Sequence, residues 1–475
     1  MRHTFTGLLA VAGLVLAPAG PAHAAAPDAG LSAAAVDAYL EEAVESTGLP
    51  GLSVVVTHGE TVVHAAGYGH GSDGEPITEH TPMRIASMSK AFTAMAVMTL
   101  VDDGRISLDE PVAAQLPEFR MADERTGRIT VRQLLNQTSG LSDTTVDVDA
   151  AQSTTSLSDY VATLADGELA AEPGSRWAYC NVNYDLAARV VEVASGQRFA
   201  DYLADDVFAP LGMTDSAVSD RLVHPAEGYN SLYGAWVSRP ELPAFLNGNG
   251  AGGVITTAAD MGKWLVSQSG EGTQLVTPES LRSMHTAPDG QNYAMGWGEQ
   301  TVDGVEMITH GGNLFTYTAS AAVVPDTGYG FAVMANSAAL HDDTFDVLRG
   351  LLALSDGRSP EIPGGDRQLV ELVLGLLALG GVGLAVLGVV RARRWAVRRA
   401  GSPRWRIGLR LVPALLPVLV LAGYPDLVSF LMNGRRVTWA QLTYFAAPLT
   451  ITVVVAAAAG VATVVTRLVR LAPVA

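Results

Sequence analysis

From Leu369 onward this 475-residue chain turns strongly apolar, and that change limits what each part of it can fold into. Residues 370–390 carry one charge, Glu371, at their edge, and are long enough to cross a ~30 Å hydrocarbon core as a helix. Residues 411–432 form a second apolar stretch, interrupted by Pro413, Pro417, Pro425 and Asp426, and residues 444–466 form a third. Between the first two lie Arg391, Arg393, Arg394, Arg398, Arg399, Arg404, Arg406 and Arg410, a basic segment that the positive-inside rule puts in the cytoplasm. Residues 1–24 hold Arg2, an apolar run from Leu8 to Ala17 and the sequence Ala22-His23-Ala24, the pattern of a secretory signal peptide. Both ends predict one topology. Residues 25–366 are an exported domain, held at the cell membrane on its extracytoplasmic side by residues 367–475, with three transmembrane helices over 370–390, 411–432 and 444–466.

Charge divides the same way. Beyond residue 368 there are twelve arginines and two acids, Glu371 and Asp426, which leaves 17 basic and 46 acidic residues between Ala25 and Gln368. So acidic a domain argues against nucleic acid and anionic lipid as its ligands. Asp426 has no second acid or lysine inside the expected spans to pair with, Glu371 lying at the edge of the first, so the tail reads as an anchor and not as a transporter. Cys180 is the only cysteine, so no intrachain disulfide exists and the exported fold relies on its core.

Within the domain, an amphipathic stretch over 31–46 predicts a helix, followed by a hairpin over 51–56 and 61–65. Helical and irregular segments with Gly/Pro punctuation come next, including Pro173-Gly174, Pro210-Leu211-Gly212 and the run from Gly248 to Gly253. Strand patterns return over 305–309, 319–324 and 330–334, and a helix over 342–354 closes the domain. Strands at both ends with helices between them predict an α/β domain whose antiparallel sheet is completed by both termini around a helical insertion.

Only two lysines occur in the chain, and one closes Ser87-Met88-Ser89-Lys90 at the head of an apolar helical stretch. Ser87 and Lys90 then share a helix face one turn apart, as a serine nucleophile and a proton-exchanging amine require. Four further segments accompany this motif: 129–135 running into Thr138-Ser139-Gly140-Leu141; Trp177-Ala178-Tyr179-Cys180-Asn181 with Tyr184; Ala251-Gly252-Gly253 followed by 256–260; and His310-Gly311-Gly312. In order and spacing the set resembles the serine β-lactamase and penicillin-binding-protein family. It is most similar to the branch of class C β-lactamases, D-alanyl-D-alanine carboxypeptidases, D-aminopeptidases and related esterases. The resemblance spans roughly residues 31–354 and implies the β-lactamase/penicillin-binding-protein-like fold, followed here by C-terminal transmembrane helices. It implies Ser87 as nucleophile, Lys90 as proton exchanger and Tyr179 as phenolic general acid/base. It further implies Asn181 as the amide orienting Lys90 and the acyl group, and His310 to Asn313 as a substrate-binding strand edge whose Asn313 N–H is an oxyanion donor.

The third motif departs from the family. Where its β-lactamases and transpeptidases carry Lys-Thr-Gly or Lys-Ser-Gly, this chain has His310-Gly311-Gly312. A histidine is only fractionally charged near neutral pH and Gly311 has no side-chain donor, so recognition of a substrate carboxylate is expected to weaken. The expectation is a serine hydrolase acting through an acyl-enzyme on small esters or D-amino-acid peptides and amides, without cofactor or metal. β-Lactamase or penicillin-binding carboxypeptidase activity is the alternative, and a β-lactam-acylated receptor or an idle binding module represents another class. Its partners are then a small-molecule or cell-wall-peptide-like substrate and the membrane, with no nucleic acid. Other chemistries fit poorly. Cys180 lacks a partnering Cys–His spacing, His58, His64 and His70 lack a zinc-site pattern, and no G-x-S-x-G elbow is present.

Overall fold

The computed structural model describes residues 31–218, 222–241, 249–432 and 434–471. The expected signal peptide, and Gly248 of the glycine-rich run, lie outside the described residues. Helix α1 (Ala33–Thr47) starts where Ser32 Oγ accepts the Ala35 N–H at 3.2 Å and stops at Gly48, whose φ of +64° suits glycine. Strands β1 (Gly51–His58) and β2 (Thr61–Gly69) follow as a hairpin. The rest of the main sheet comes from the end of the domain: β3 (Gly298–Val302), β4 (Val305–Leu314), β5 (Tyr317–Val324) and β6 (Tyr329–Ala335). The order is β2-β1-β6-β5-β4-β3, antiparallel throughout. The register Leu52↔Ala335 to His58↔Tyr329 joins the two ends of the domain.

Both faces of the central strands are buried, so alternate residues serve separate cores. Val54, Val56, Phe331 and Val333 pack with α1 and the closing helix Asp343–Ser355, while Val55, Ala332 and Met334 belong to the core of the helical region. At the centre of that region runs α2 (Ser89–Asp102), with Phe92, Met95, Val97 and Leu100 all fully buried. A helix apolar on every side belongs in such a position. The antiparallel sheet built from both ends around a helical insertion is the expected architecture. The edge strand β3 and the hairpin of Gly228–Leu232 and Ala235–Arg239 were not expected. Their polar, partly exposed sequences carry little periodic signal.

Among the described residues, three helices of the tail are long and apolar enough to cross a membrane: Asp366–Val390, Arg404–Ala422 and Ala447–Leu471. The second differs from the expected 411–432. Pro413 and Pro417 lie inside the helix, which ends at Ala422, and Tyr424–Leu431 is a separate short helix with Pro425 in its first turn. The third starts at Ala447 and not at 444, because Thr438 and Gln441 cap a distinct short helix, Trp439–Tyr444.

The tail is also more than a tether. Arg367, 3% exposed, donates to Thr47 O at 2.7 Å, Ser231 Oγ at 2.8 Å and Asp343 Oδ2 at 3.3 Å, and its guanidinium lies 4.4 Å from the Trp236 ring centre. Glu371 Oε2 accepts the Gly234 N–H at 2.6 Å, and the Tyr233 hydroxyl reaches Pro448 O at 2.9 Å. Arg239 sits 3.6 Å over the Tyr444 ring. The hairpin 228–239 is thus clamped between the rest of the domain and the apolar helices of the tail.

Candidate active site

Ser87 sits in a single 3-10 turn that runs directly into α2. The residue before it, Ala86, has φ of +47°, a left-handed conformation that costs a residue with a Cβ roughly 1–2 kcal/mol. Surrounding structure holds the turn: Ile85 N–H donates to Val254 O at 3.2 Å, and the Val254 N–H donates to Ser89 Oγ at 2.9 Å. Strand β4 closes over the same turn. A Cβ on Gly312 would lie 2.1 Å from Ile85 O, so no other residue fits that position.

One turn after Ser87, at the second residue of α2, Lys90 is fully buried. Its Nζ donates to Ser87 Oγ at 3.2 Å, Asn181 Oδ1 at 3.0 Å and Ala251 O at 2.7 Å, three acceptors for the three N–H bonds of an ammonium. The Tyr179 hydroxyl donates to Ser87 Oγ at 2.8 Å, and Lys90 Nζ lies 4.9 Å from the Tyr179 ring centre. Burial pushes the Tyr179 phenol up, but the charges of Lys90 and Arg435 and the hydrogen bonds with Lys90 and Ser87 outweigh it and hold the phenol below its ordinary value.

The 137–141 segment positions the tyrosine loop. Gln137, at φ +58°, accepts through Oε1 from the Cys180 N–H at 3.0 Å and from Asn183 Nδ2 at 2.5 Å, while its carbonyl takes the Ala178 N–H at 2.9 Å. Ser139 Oγ donates to Asn183 Oδ1 at 2.5 Å. Asn181 then opens the helix Val182–Ser195. Cys180 is fully buried, and burial pushes its thiol well up, as befits a packing residue. The other flagged histidines have packing partners: His58 stacks on Tyr329 at 4.2 Å, and His64 Nε2 is 3.0 Å from the Tyr68 hydroxyl.

His310 differs from its expected state. Its Nδ1 lies 2.6 Å from Gly311 O, a group that can only accept, so Nδ1 carries the proton and Nε2 faces the Tyr293 hydroxyl at 3.3 Å as an acceptor. Burial, reinforced by the positive charge of Lys90, pushes the imidazole down to about 4. The ring is therefore neutral near pH 7, and the third motif supplies no cation at all. The β3 register stops at Gly298↔Thr309, so the β4 backbone beyond Thr309 has no strand partner on the β3 side. Asn313 lies on that exposed stretch, opposite Thr318 of β5.

Three contributors escaped the sequence reading. Asp185, four residues after Asn181 and so on the same helix face, accepts the Ala251 N–H at 3.2 Å; burial raises its carboxyl to about 7, against the pull of Lys90. That spacing was the available signal. Tyr293 packs with Trp177 and Tyr179 at 6.1 and 6.4 Å between ring centres. Arg435, in the tail between the second and third apolar helices, places its guanidinium 4.6 Å from the Tyr179 ring centre. Only the fold brings the last two to the site.

Comparison with known proteins gives the family and the fold. Residues 36–355 match the Beta-lactamase family. Protein flp of Staphylococcus aureus (strain MRSA252) is 28% identical over 315 residues, 63% of this chain and 62% of that protein. The chain thus spans somewhat under two thirds of the length of such relatives. Among solved structures, the octameric penicillin-binding protein homologue from Pyrococcus abyssi is 26% identical with a TM-score of 0.59, covering 69% of this chain and 78% of the other. A D-stereospecific amidohydrolase from Streptomyces sp. is 26% identical with a TM-score of 0.52, covering 64% and 94%. With two thirds of its length matched and a Ser-Lys-Tyr cluster at the head of its central helix, the chain belongs to the β-lactamase family and has the fold shared by serine β-lactamases and penicillin-binding proteins.

Proposed function

We propose that the protein is a membrane-anchored, extracytoplasmic serine hydrolase that forms an acyl-enzyme on Ser87 and acts on small esters or on peptides and amides of D-amino acids. The observation that carries this reading is the convergence of Lys90 Nζ and Tyr179 Oη on one oxygen, Ser87 Oγ, at 3.2 and 2.8 Å. With its three N–H bonds already directed, Lys90 acts as a fixed positive charge that favours the phenolate of Tyr179. The phenolate takes the Ser87 proton as Oγ attacks the substrate carbonyl, and the resulting phenol returns a proton to the leaving amine or alcohol as the C–N or C–O bond breaks. The Ser87 N–H, at the start of the helical segment, and the Asn313 N–H of β4 bind the developing oxyanion. Water then attacks the ester, giving its proton to the Tyr179 phenolate, and the phenol returns that proton to Ser87 Oγ as the acyl C–O bond breaks and the acid departs. Asn181 orients Lys90 throughout.

A neutral His310 beside an unsubstituted Gly311 favours esters and amides over efficient penicillin hydrolysis. The D-stereospecific amidohydrolase among the structural relatives supports an amide of a D-amino acid. Intact-mass measurement after incubation with a penicillin and with a nitrophenyl ester tests the assignment. A transient adduct with either, absent in Ser87→Ala, is expected; a permanent adduct marks a receptor, and no adduct marks an idle module. Labelling of cysteines introduced at Arg393 and Ser355 from outside intact cells tests the topology, since only the second is expected to react.

A further inference from the structure

The tail does not stop at the membrane surface. After the short helix Tyr424–Leu431 the chain rises to the catalytic domain, where two arginine–carboxylate contacts fix it. Arg436 pairs with Asp149 at 2.7 Å, and Arg435 Nε approaches Asp143 Oδ2 at 3.5 Å, with Asp143 6% exposed. The Arg436 N–H also donates to Asp143 Oδ2 at 3.4 Å. This strap closes one side of a cavity of about 360 Å³ lined by Ser142, Arg176, Trp177, Tyr179, Met432 and Arg435. One wall therefore comes from the membrane tail, and another is the aromatic ring whose hydroxyl touches Ser87.

The chemistry of this cavity is specific. It brings two guanidinium groups to an otherwise strongly acidic domain. Arg435 hydrogen bonds through its side chain only at Nε among the described residues, and that contact is long. Its Nη atoms are left as a planar fork, the geometry that meets a carboxylate in two parallel hydrogen bonds. Trp177, 38% exposed, provides a flat apolar surface beside it. Meanwhile the strand edge that carries a lysine in penicillin-recognising relatives presents a neutral imidazole and a bare glycine here.

We propose that the membrane tail completes the substrate site, with Arg435 and Arg176 forming a subsite beside Tyr179 for a carboxylate on the substrate. The proposal rests on the hydrolase reading for the identity of the ligand, but its geometry is independent of the acylation step. Arg435 is a specificity residue on this account, and its charge also favours the ionised form of Tyr179. The catalytic unit then extends beyond the family domain, and residues 36–355 alone lack one wall of their own pocket.

The test uses the full chain in lipid nanodiscs, with Ser87→Ala to prevent turnover. Calorimetry measures binding of N-acetyl-D-alanyl-D-alanine and of the same dipeptide with a C-terminal amide. The carboxylate form is expected to bind more tightly, and Arg435→Gln to reduce that carboxylate-to-amide preference by about 10- to 100-fold, as loss of a charge-assisted pair predicts. Arg435→Lys should restore part of it. Equal affinity for the two ligands before mutation, no binding of either, or an Arg435→Gln loss shared equally by both would overturn the subsite. Failure of Ser87 to be acylated in the unmutated chain would instead sink the hydrolase reading, leaving the subsite to be judged on the binding ratio.

Discussion

Replacing Arg367 by alanine removes the cation that joins the first apolar helix of the tail to the β-lactamase-family domain, and the structure sets both the size and the pH dependence of the effect. The substitution leaves Ser231 Oγ without its donor and Thr47 O with Gln368 Nε2 alone, at 2.8 Å, and it leaves Asp343, 5% exposed, facing only the His341 imidazole at 3.8 Å. Breaking one side of a buried ion pair costs about 3–5 kcal/mol. Even beside Arg367, burial raises the Asp343 carboxyl from 3.8 to about 6. A folded-state value above the unfolded one means the native state holds its proton more tightly, so stability is lost as pH rises through the folded value. In the parent protein that loss falls between about pH 4 and 6 and is complete by pH 7. Without Arg367 the carboxyl moves further up, and the loss continues through pH 7–8 at up to about 1.4 kcal/mol per pH unit. At pH 6 the variant protonates Asp343 and escapes part of the cost. Urea unfolding of the full chain in detergent micelles, followed by tryptophan fluorescence at pH 6 and pH 8, measures both quantities. A loss below about 1 kcal/mol at pH 8, or an equal loss at both pH values, would refute the argument that Asp343 is the group left stranded.

Lys90→Ala and Tyr179→Phe should each lower the acylation rate about 10² to 10⁴-fold, and stopped-flow kinetics with a nitrophenyl ester will show whether the proton path runs elsewhere. Because His310 is held neutral until about pH 4, the ratio of kcat/KM for a carboxylate-bearing to a neutral substrate should be flat from pH 5.5 to 7.5; a step near pH 6.5 would show an ordinary imidazole. Changing His310 to Lys and Gly311 to Thr together should raise β-lactam acylation relative to ester hydrolysis about tenfold. The threonine has room, since a Cβ at Gly311 meets only Ala319 O at 3.8 Å. A truncated chain of residues 25–366 lacks Arg367 and should lose about the same 3–5 kcal/mol as Arg367→Ala; urea unfolding identical to that of the full chain would show that the tail is a passive tether.

The legible parts of this protein were those encoded locally. Ser87 and Lys90 are one helical turn apart, so neighbouring positions in sequence already implied neighbouring atoms. The same holds for β1 and β2, whose hairpin needs only a short turn. Asp185 was within reach of the same reasoning, four residues beyond Asn181, but a lone acid in an acidic domain draws no notice. Tyr179 and Asn181, about ninety residues beyond the serine, were placed beside Ser87 and Lys90 only by the family resemblance of their segment. Tyr293 and Arg435 had no local signal at all, because each arrives from a loop whose position depends on the whole fold. For His310 the identity of the residue was plain, but its charge was not. An imidazole titrates near neutrality unless its surroundings are known, and here the Gly311 carbonyl, Tyr293 and the Lys90 ammonium decide it.

The pairing of β1 with β6 also dictates an order of assembly. Leu52 cannot meet Ala335 until nearly the whole domain has been synthesised, so the central sheet closes late, after its N-terminal hairpin has waited through some 280 residues of chain. The first apolar helix follows within about thirty residues, and Arg367 reaches Thr47 and Asp343 only when both sheet and helix are in place. Arg435 comes last of all, after two apolar helices have been made. The cavity beside Tyr179 is thus finished only once the segment that carries Arg435 has been made, and a shorter copy of the protein lacks one wall of it.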